Sequence, residues 1–279
     1  MLPQTKTIAA DIESQTGAVG TSTSSAYTMK FFEERKTETW QAALHIVPHV
    51  LDVVQPSSVI DVGCATGEFL EAFRKYGIED ILGIDGAYVQ KDLLVIPQDK
   101  FVPLNLNRPF TLDRTFDLAI CLEVAEHLLP KSAANFIASL TCLAPIILFS
   151  AAIPYQGGTS HLNEQWPEYW ANLFKQHGFV PVDALRQKIW LNREIPIVYR
   201  QNMLFFCKEE ALAGNEKLSQ AYTTTNPNGL SAVHPEMYLA RISEFNAIYA
   251  RIPRYIFTRI LPLGRIKRSI KRRLGKRVL

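Results

Sequence analysis

A chain of 279 residues with 47% hydrophobic side chains can bury a sizeable core, and 30 basic against 27 acidic residues leave a formal charge of +3. No stretch approaches the roughly 18 apolar residues of a membrane span, and no charged start followed by an apolar run announces a secretory leader. Cys64, Cys121, Cys142 and Cys207 include no C-x-x-C pair, which disfavours a zinc ribbon and points to a reduced, cytoplasmic protein.

Residues 1–26 are polar and rich in Ser, Thr and Gly, a composition expected to stay flexible. From Tyr27 the character changes. Phe31, Phe32, Trp40, Ala43, Leu44, Val47, Val50, Leu51 and Val54 recur at helical spacing, with Pro48 as an expected break or kink. Tyr27 and Trp40 are aromatic candidates for contact with a ligand, although packing is the commoner role for such residues.

The informative stretch is Ser58 to Leu70. Val59, Ile60 and Val62 form a short β-branched run that reads as a buried parallel strand, and Phe69, Leu70, Ala72 and Phe73 read as a helix. Between them Gly63, Ala65 and Gly67 make a small-residue turn at a helix N-terminus, where backbone N–H groups converge on a bound polar group. Ile81 to Ile84 form a second strand closed by Asp85, 22 residues after Gly63. An acid at about that spacing accepts hydrogen bonds from ribose hydroxyls.

A third strand is expected over Phe101–Leu106, a fourth over Phe116–Leu122 and a fifth over Pro145–Ser150, with a helix around Ala133 to Leu140. Helices alternating with strands imply a mostly parallel sheet with right-handed crossovers. Glu123, Glu126 and His127 follow the fourth strand, and ligands of open α/β sheets bind at that end. After the fifth strand, Gly157-Gly158 leads into His161-Leu162-Asn163-Glu164-Gln165-Trp166. A helix is expected to start at Asn163 or Glu164, with Pro167 in its first turn and Gly178 closing it. Strand-like runs lie at Ile189–Leu191, Ile195–Tyr199 and Met203–Cys207, and the last is expected to finish the sheet as an antiparallel edge. Residues 209–250 read as loop and helical extension.

Asp61-x-Gly63-x-Ala65-x-Gly67 resembles the first motif of class I S-adenosylmethionine-dependent methyltransferases, with Ala65 where Gly is commoner, and Asp85 resembles their ribose-binding acid. The glycine spacing does not match the G-x-G-x-x-G fingerprint of dehydrogenases. The resemblance covers residues 27–208 and implies a Rossmann-like, seven-stranded, mostly parallel sheet with helices on both faces; outside it, the apolar and basic pattern of the C-terminal sequence reads as a basic helical extension. It implies S-adenosylmethionine as cofactor and S-adenosylhomocysteine as product. The residues it assigns to the cofactor are Asp61, Gly63, Cys64, Ala65, Gly67, Asp85, Gly86, Asn105, Leu106, Leu122 and Glu123, with Asn105 where an Asp often meets the adenine amino group.

Glu123-x-x-Glu126-His127 resembles the fourth motif of small-molecule O-methyltransferases, some of which use a divalent cation. Glu123, Glu126 and His127 are therefore a candidate set for an ion such as Mg2+. The run from His161 to Trp166 with Tyr169-Trp170 resembles a bacterial subgroup associated with polysaccharide and glycosylated-metabolite pathways. Transfer to a hydroxyl needs a base, and His161 and His127, with Glu126, are the candidates. The expected acceptor is a small molecule or glycan. A nucleic-acid methyltransferase is disfavoured, because Leu122-Glu123-Val124-Ala125 stands where amine-methylating enzymes of that kind carry an N/D-P-P-Y/F motif. A non-catalytic binding protein on the same fold is a further alternative.

The net charge conceals an asymmetry. Residues 251–279 hold 11 of the 30 Lys and Arg and no acid, so the first 250 residues carry 19 basic against 27 acidic side chains, a net of −8. A basic, amphipathic tail can lie on an anionic membrane face, bind nucleic acid or remain a solvated arm. The apolar Ile256, Phe257, Ile260, Leu261 and Leu263 favour the peripheral contact at an inner membrane face.

Overall fold

The computed structural model describes Met29–Arg251. The segment expected to be flexible (1–26), Tyr27 and residues 252–279 of the basic tail lie outside it. The chain divides into two compact units between Val233 and His234.

In the first unit, helix α1 (Met29–Val53) continues through Pro48. The break expected there does not occur, because Ile46, Val47 and Val50 are fully buried on either side of the proline. Such packing outweighs the roughly 3 kcal/mol that an interior proline costs. The sheet then follows from β1 (Ser58–Val62), β2 (Asp80–Asp85), β3 (Phe101–Pro103), β4 (Leu118–Leu122), β5 (Ile146–Ser150), β6 (Phe179–Val182) and β7 (Leu204–Lys208). Their order is β3-β2-β1-β4-β5-β7-β6. The first five pair in parallel, while β7 runs antiparallel to both β5 and β6.

Two corrections concern the far side of the sheet. Met203–Cys207 was expected to supply the edge, but β7 is interior and β6 is the edge strand. The alternation that marks a strand is blunted in Phe179-Val180-Pro181-Val182 by its half-buried Pro181, a residue tolerated at a sheet edge. The strand-like runs at 189–191 and 195–199 are not strands. Ile189 and residues 197–199 lie in short helical pieces (Arg186–Ile189 and Ile197–Asn202) that precede β7, and the rest of both runs is turn or irregular chain between them. β3 also ends at Pro103, three residues before the expected Leu106.

Alternate residues of each strand enter two apolar clusters, one on each face. Val59, Leu118, Ile120, Leu148 and Phe205 pack under α1 and α2 (Glu68–Lys75). Ile60, Ala119, Ile147, Phe149 and Phe206 pack under α3 (Ala133–Thr141) and α4 (Pro167–Lys175). Helix α4 starts at Pro167 behind Trp166 rather than at Asn163 or Glu164. The chain leaves β1 toward β2 on one side while β4 adds on the other. The carboxyl ends of β1 and β4 therefore border a topological switch point, where open α/β sheets bind ligands.

Candidate active site

The turn after β1 is closed by backbone hydrogen bonds. The Gly63 N–H donates to the Ile84 carbonyl at 2.7 Å, and the Gly67 N–H donates to the Cys64 carbonyl at 2.8 Å. Gly63 has φ 88° and Gly67 φ 94°, and Ala65 tolerates φ 47°. The glycines make room chiefly for the protein itself. A Cβ at Gly63 would stand 2.3 Å from a Val124 methyl, and one at Gly67 would crowd Ile96. The Cys64 side chain is directed into the core against Gly83. Burial and the nearby acids push its thiol well above the usual range, so it is not a nucleophile.

The carboxylate closing β2 meets this turn directly. Asp85 accepts from the Ala65 N–H at 2.8 Å through one oxygen, and from the Gly86 N–H at 2.6 Å and the Tyr88 hydroxyl at 2.5 Å through the other. Burial raises its pKa, and these three donors pull it back. Tyr88 folds over Gly86 so closely that a Cβ there would touch its ring. Asp61, also buried, takes no hydrogen bond from a described residue. Burial first, then Asp85 and Glu68, hold its carboxyl well above the ordinary range. Three buried acids gathered at one turn fit a ligand that brings positive charge.

Asp61 carries a testable cost. A carboxyl raised by folding adds stability below its unfolded pKa and loses it as pH rises through the folded value. The free protein should thus weaken with rising pH across that window, by up to about 1.4 kcal/mol per pH unit for each such group. Asp61→Asn should flatten this slope and raise the thermal midpoint in alkaline buffer. Unfolding curves across pH would refute this if the variant kept the wild-type slope.

At the end of β4, Glu123 stands at φ 54° with its N–H donating to the Ser150 carbonyl at 3.0 Å. Its carboxylate accepts from Gln156 Nε2 at 2.9 Å and Asn202 Nδ2 at 3.1 Å. Asn202 also donates to Gln156 Oε1 at 2.9 Å and accepts from Gln201 Nε2 at 2.9 Å. Gln156, Gln201 and Asn202 are buried amides that sequence reading did not single out. Nothing local marks them, because Asn202 is 79 residues from Glu123.

Glu126 is fully buried, and neither carboxylate oxygen has a donor of good geometry among the described residues. Burial and the neighbouring Glu123 push its carboxyl well above the usual range. The loop after β5 docks on the same turn, since the Leu162 and Asn163 N–H groups donate to the Glu126 carbonyl at 2.7 and 2.9 Å. That brings the His161 ring perpendicular to the His127 ring, with centroids 4.9 Å apart. His161 Nδ1 lies 2.9 Å from Glu164 Oε1. Glu164 is itself fixed by the Gly157 and Tyr155 N–H groups, each at 2.8 Å. With Nδ1–H donating to that carboxylate, the Nε2 lone pair is left for chemistry. A Cβ at Gly158 would collide with the His161 ring, so the glycine is required for this placement.

Ligand atoms of Glu126, His127 and His161 lie within 4.8 Å of one another. The cation set expected from Glu123, Glu126 and His127 is corrected accordingly. Amide donors occupy Glu123, and His161 joins the cluster. Asn105 sits beyond β3 and its side-chain oxygen accepts from the Asn107 N–H at 3.0 Å, while Leu106 is buried in an apolar cluster. Leu122 ends β4, half-buried.

The family described as "Methyltransferase domain" matches residues 32–190, more than half of the chain. No curated protein matches. Among solved structures, the methyltransferase domain of bacterial CtHen1 is 23% identical over 60% of this chain and 98% of its own, with TM-score 0.44. Magnesium protoporphyrin IX methyltransferase from Synechocystis PCC 6803, with bound SAM, is 19% identical over 66% and 86%, with TM-score 0.46. CalS10 from Micromonospora echinaspora, an amino pentose methyltransferase, is 14% identical over 65% and 98%, with TM-score 0.47.

Proposed function

Because this chain belongs to the methyltransferase-domain family, whose class I members use S-adenosylmethionine, we propose that it moves a methyl group to a hydroxyl of a small molecule or sugar, with His161 as general base. The observation that carries the reading is the His161–Glu164 pair, anchored by backbone donors at the carboxyl end of the sheet. The cofactor supplies an electrophilic methyl on a sulfonium that departs as a neutral thioether. The protein has three tasks. Asp85 and the Ala65–Gly67 turn orient a ribose, and Asp61 favours a cation over a neutral ligand. His161 Nε2 accepts the hydroxyl proton as the acceptor attacks, and Glu164 stabilises the imidazolium that results.

The orphaned Glu126 supports a second reading of the same cluster. Glu126, His127 and His161 would hold a divalent cation that lowers the pKa of the acceptor hydroxyl. Two imidazoles and one carboxylate suit a transition ion better than Mg2+, which prefers oxygen ligands.

The test is transfer of labelled methyl from S-adenosylmethionine to three acceptor classes, namely sugars and sugar nucleotides, small alcohols and phenols, and a short RNA. Label in an alkali-stable ether on either of the first two supports the proposal, and inhibition by chelator assigns the cation reading. Label confined to nitrogen, or to RNA, overturns the acceptor, and failure to bind S-adenosylmethionine overturns the whole.

A further inference from the structure

In the second unit, helix α9 (Pro235–Arg251), numbered after the short helices at 186–189, 197–202, 209–213 and 216–224, carries an apolar face open to water. Tyr238 is 57% exposed, Ile242 41%, Phe245 63% and Tyr249 51%. Their spacing of four, three and four residues places them in one stripe along the helix. The Phe245 and Tyr249 rings stack within it at 6.2 Å. Leu239 and Ile248, also exposed, widen the stripe, and Arg241, which pairs with Glu244, sets one cation between Phe245 and Ile248 on that face. Six large apolar side chains exposed on 17 residues exceed what scattered surface residues explain.

The sequence that follows decides what covers them. Residues 252–279 hold ten Lys and Arg and no acid, together with Ile256, Phe257, Ile260 and Leu261. A second copy of the chain would satisfy the stripe but set ten cations against ten. Nucleic acid would satisfy the cations but leave the stripe in water. An anionic lipid surface answers both, because headgroups pair with Lys and Arg while apolar side chains enter the acyl boundary. No helix of the described residues is long and apolar enough to cross a membrane. We propose that the apolar face of Pro235–Arg251 docks on an anionic membrane, the charge of the sequence after it selecting that occupant. This does not depend on the methyl-transfer reading.

Co-sedimentation of the full chain with phosphatidylcholine vesicles, with and without phosphatidylserine, tests it. Retention is expected only with phosphatidylserine, and is expected to fall at high salt. Each cation near the surface contributes roughly fivefold. Changing Lys267, Arg268, Lys271 and Arg272 to Gln together should therefore lower retention about a hundredfold or more. Ile242→Ser, Phe245→Ser and Tyr249→Ser combined should lower it at least about tenfold. Cofactor binding should be unchanged in both. Equal retention on neutral vesicles, or full retention by the stripe variant, overturns the proposal. So does a concentration-dependent dimer that the stripe variant abolishes, or preferential retention by RNA.

Discussion

His161→Asn is expected to lower kcat by about a hundredfold to ten-thousandfold, the range for losing a positioned general base, with the affinity for S-adenosylmethionine unchanged. The separation follows from the architecture. His161 is placed by the loop after β5, which hangs on the Glu126 carbonyl, whereas the acids proposed to meet the cofactor lie in the carboxyl-terminal halves of β1 and β2. The pH profile carries the role. A base must be deprotonated to act, so wild-type kcat should fall toward acid, and this limb should vanish from the residual activity of the variant. Glu164→Gln keeps the shape but removes the charge that supports an imidazolium, and should cost less than His161→Asn. If His161→Asn turns over like wild type while His127→Asn does not, the base is the other histidine. Full activity in both variants would leave the proposal without a base.

On the proposed role of Asp85 as ribose acceptor, Asp85→Ala should weaken S-adenosylmethionine about a hundredfold or more, since two hydrogen bonds to a carboxylate are then lost together. It also strips the Ala65 and Gly86 N–H groups of their acceptor. Each orphaned buried donor costs about 1–3 kcal/mol, so thermal stability should fall as well. Tyr88→Phe separates the two effects. It removes a donor that occupies one Asp85 oxygen while leaving the turn intact, so cofactor affinity should hold or rise modestly. Calorimetric titration reads both variants. An Asp85→Ala protein that remains folded and binds within about threefold of wild type would detach the ribose from this carboxylate.

Much of the first half-site was legible in the chain because it is coded locally. The β-branched run of β1, the turn of small residues and the acid after β2 lie within 28 residues, Ser58 to Asp85. Each is a statement about backbone conformation that neighbouring residues can make alone.

The second half-site depends on distant pairings. Gln156 and Asn202 are ordinary polar residues until β7 inserts beside β5 and brings them to Glu123. Polar side chains of this kind have no periodicity to betray burial. The grouping of Glu126, His127 and His161 arises in the same way, from the docking of one loop carbonyl on two N–H groups. The residue types and their order along the chain therefore determined a Rossmann-like sheet and the end of it where a ligand belongs. Tertiary structure alone decided which amides hold Glu123, which histidine is oriented, and where the sheet stops, because those depend on contacts between segments far apart in the chain.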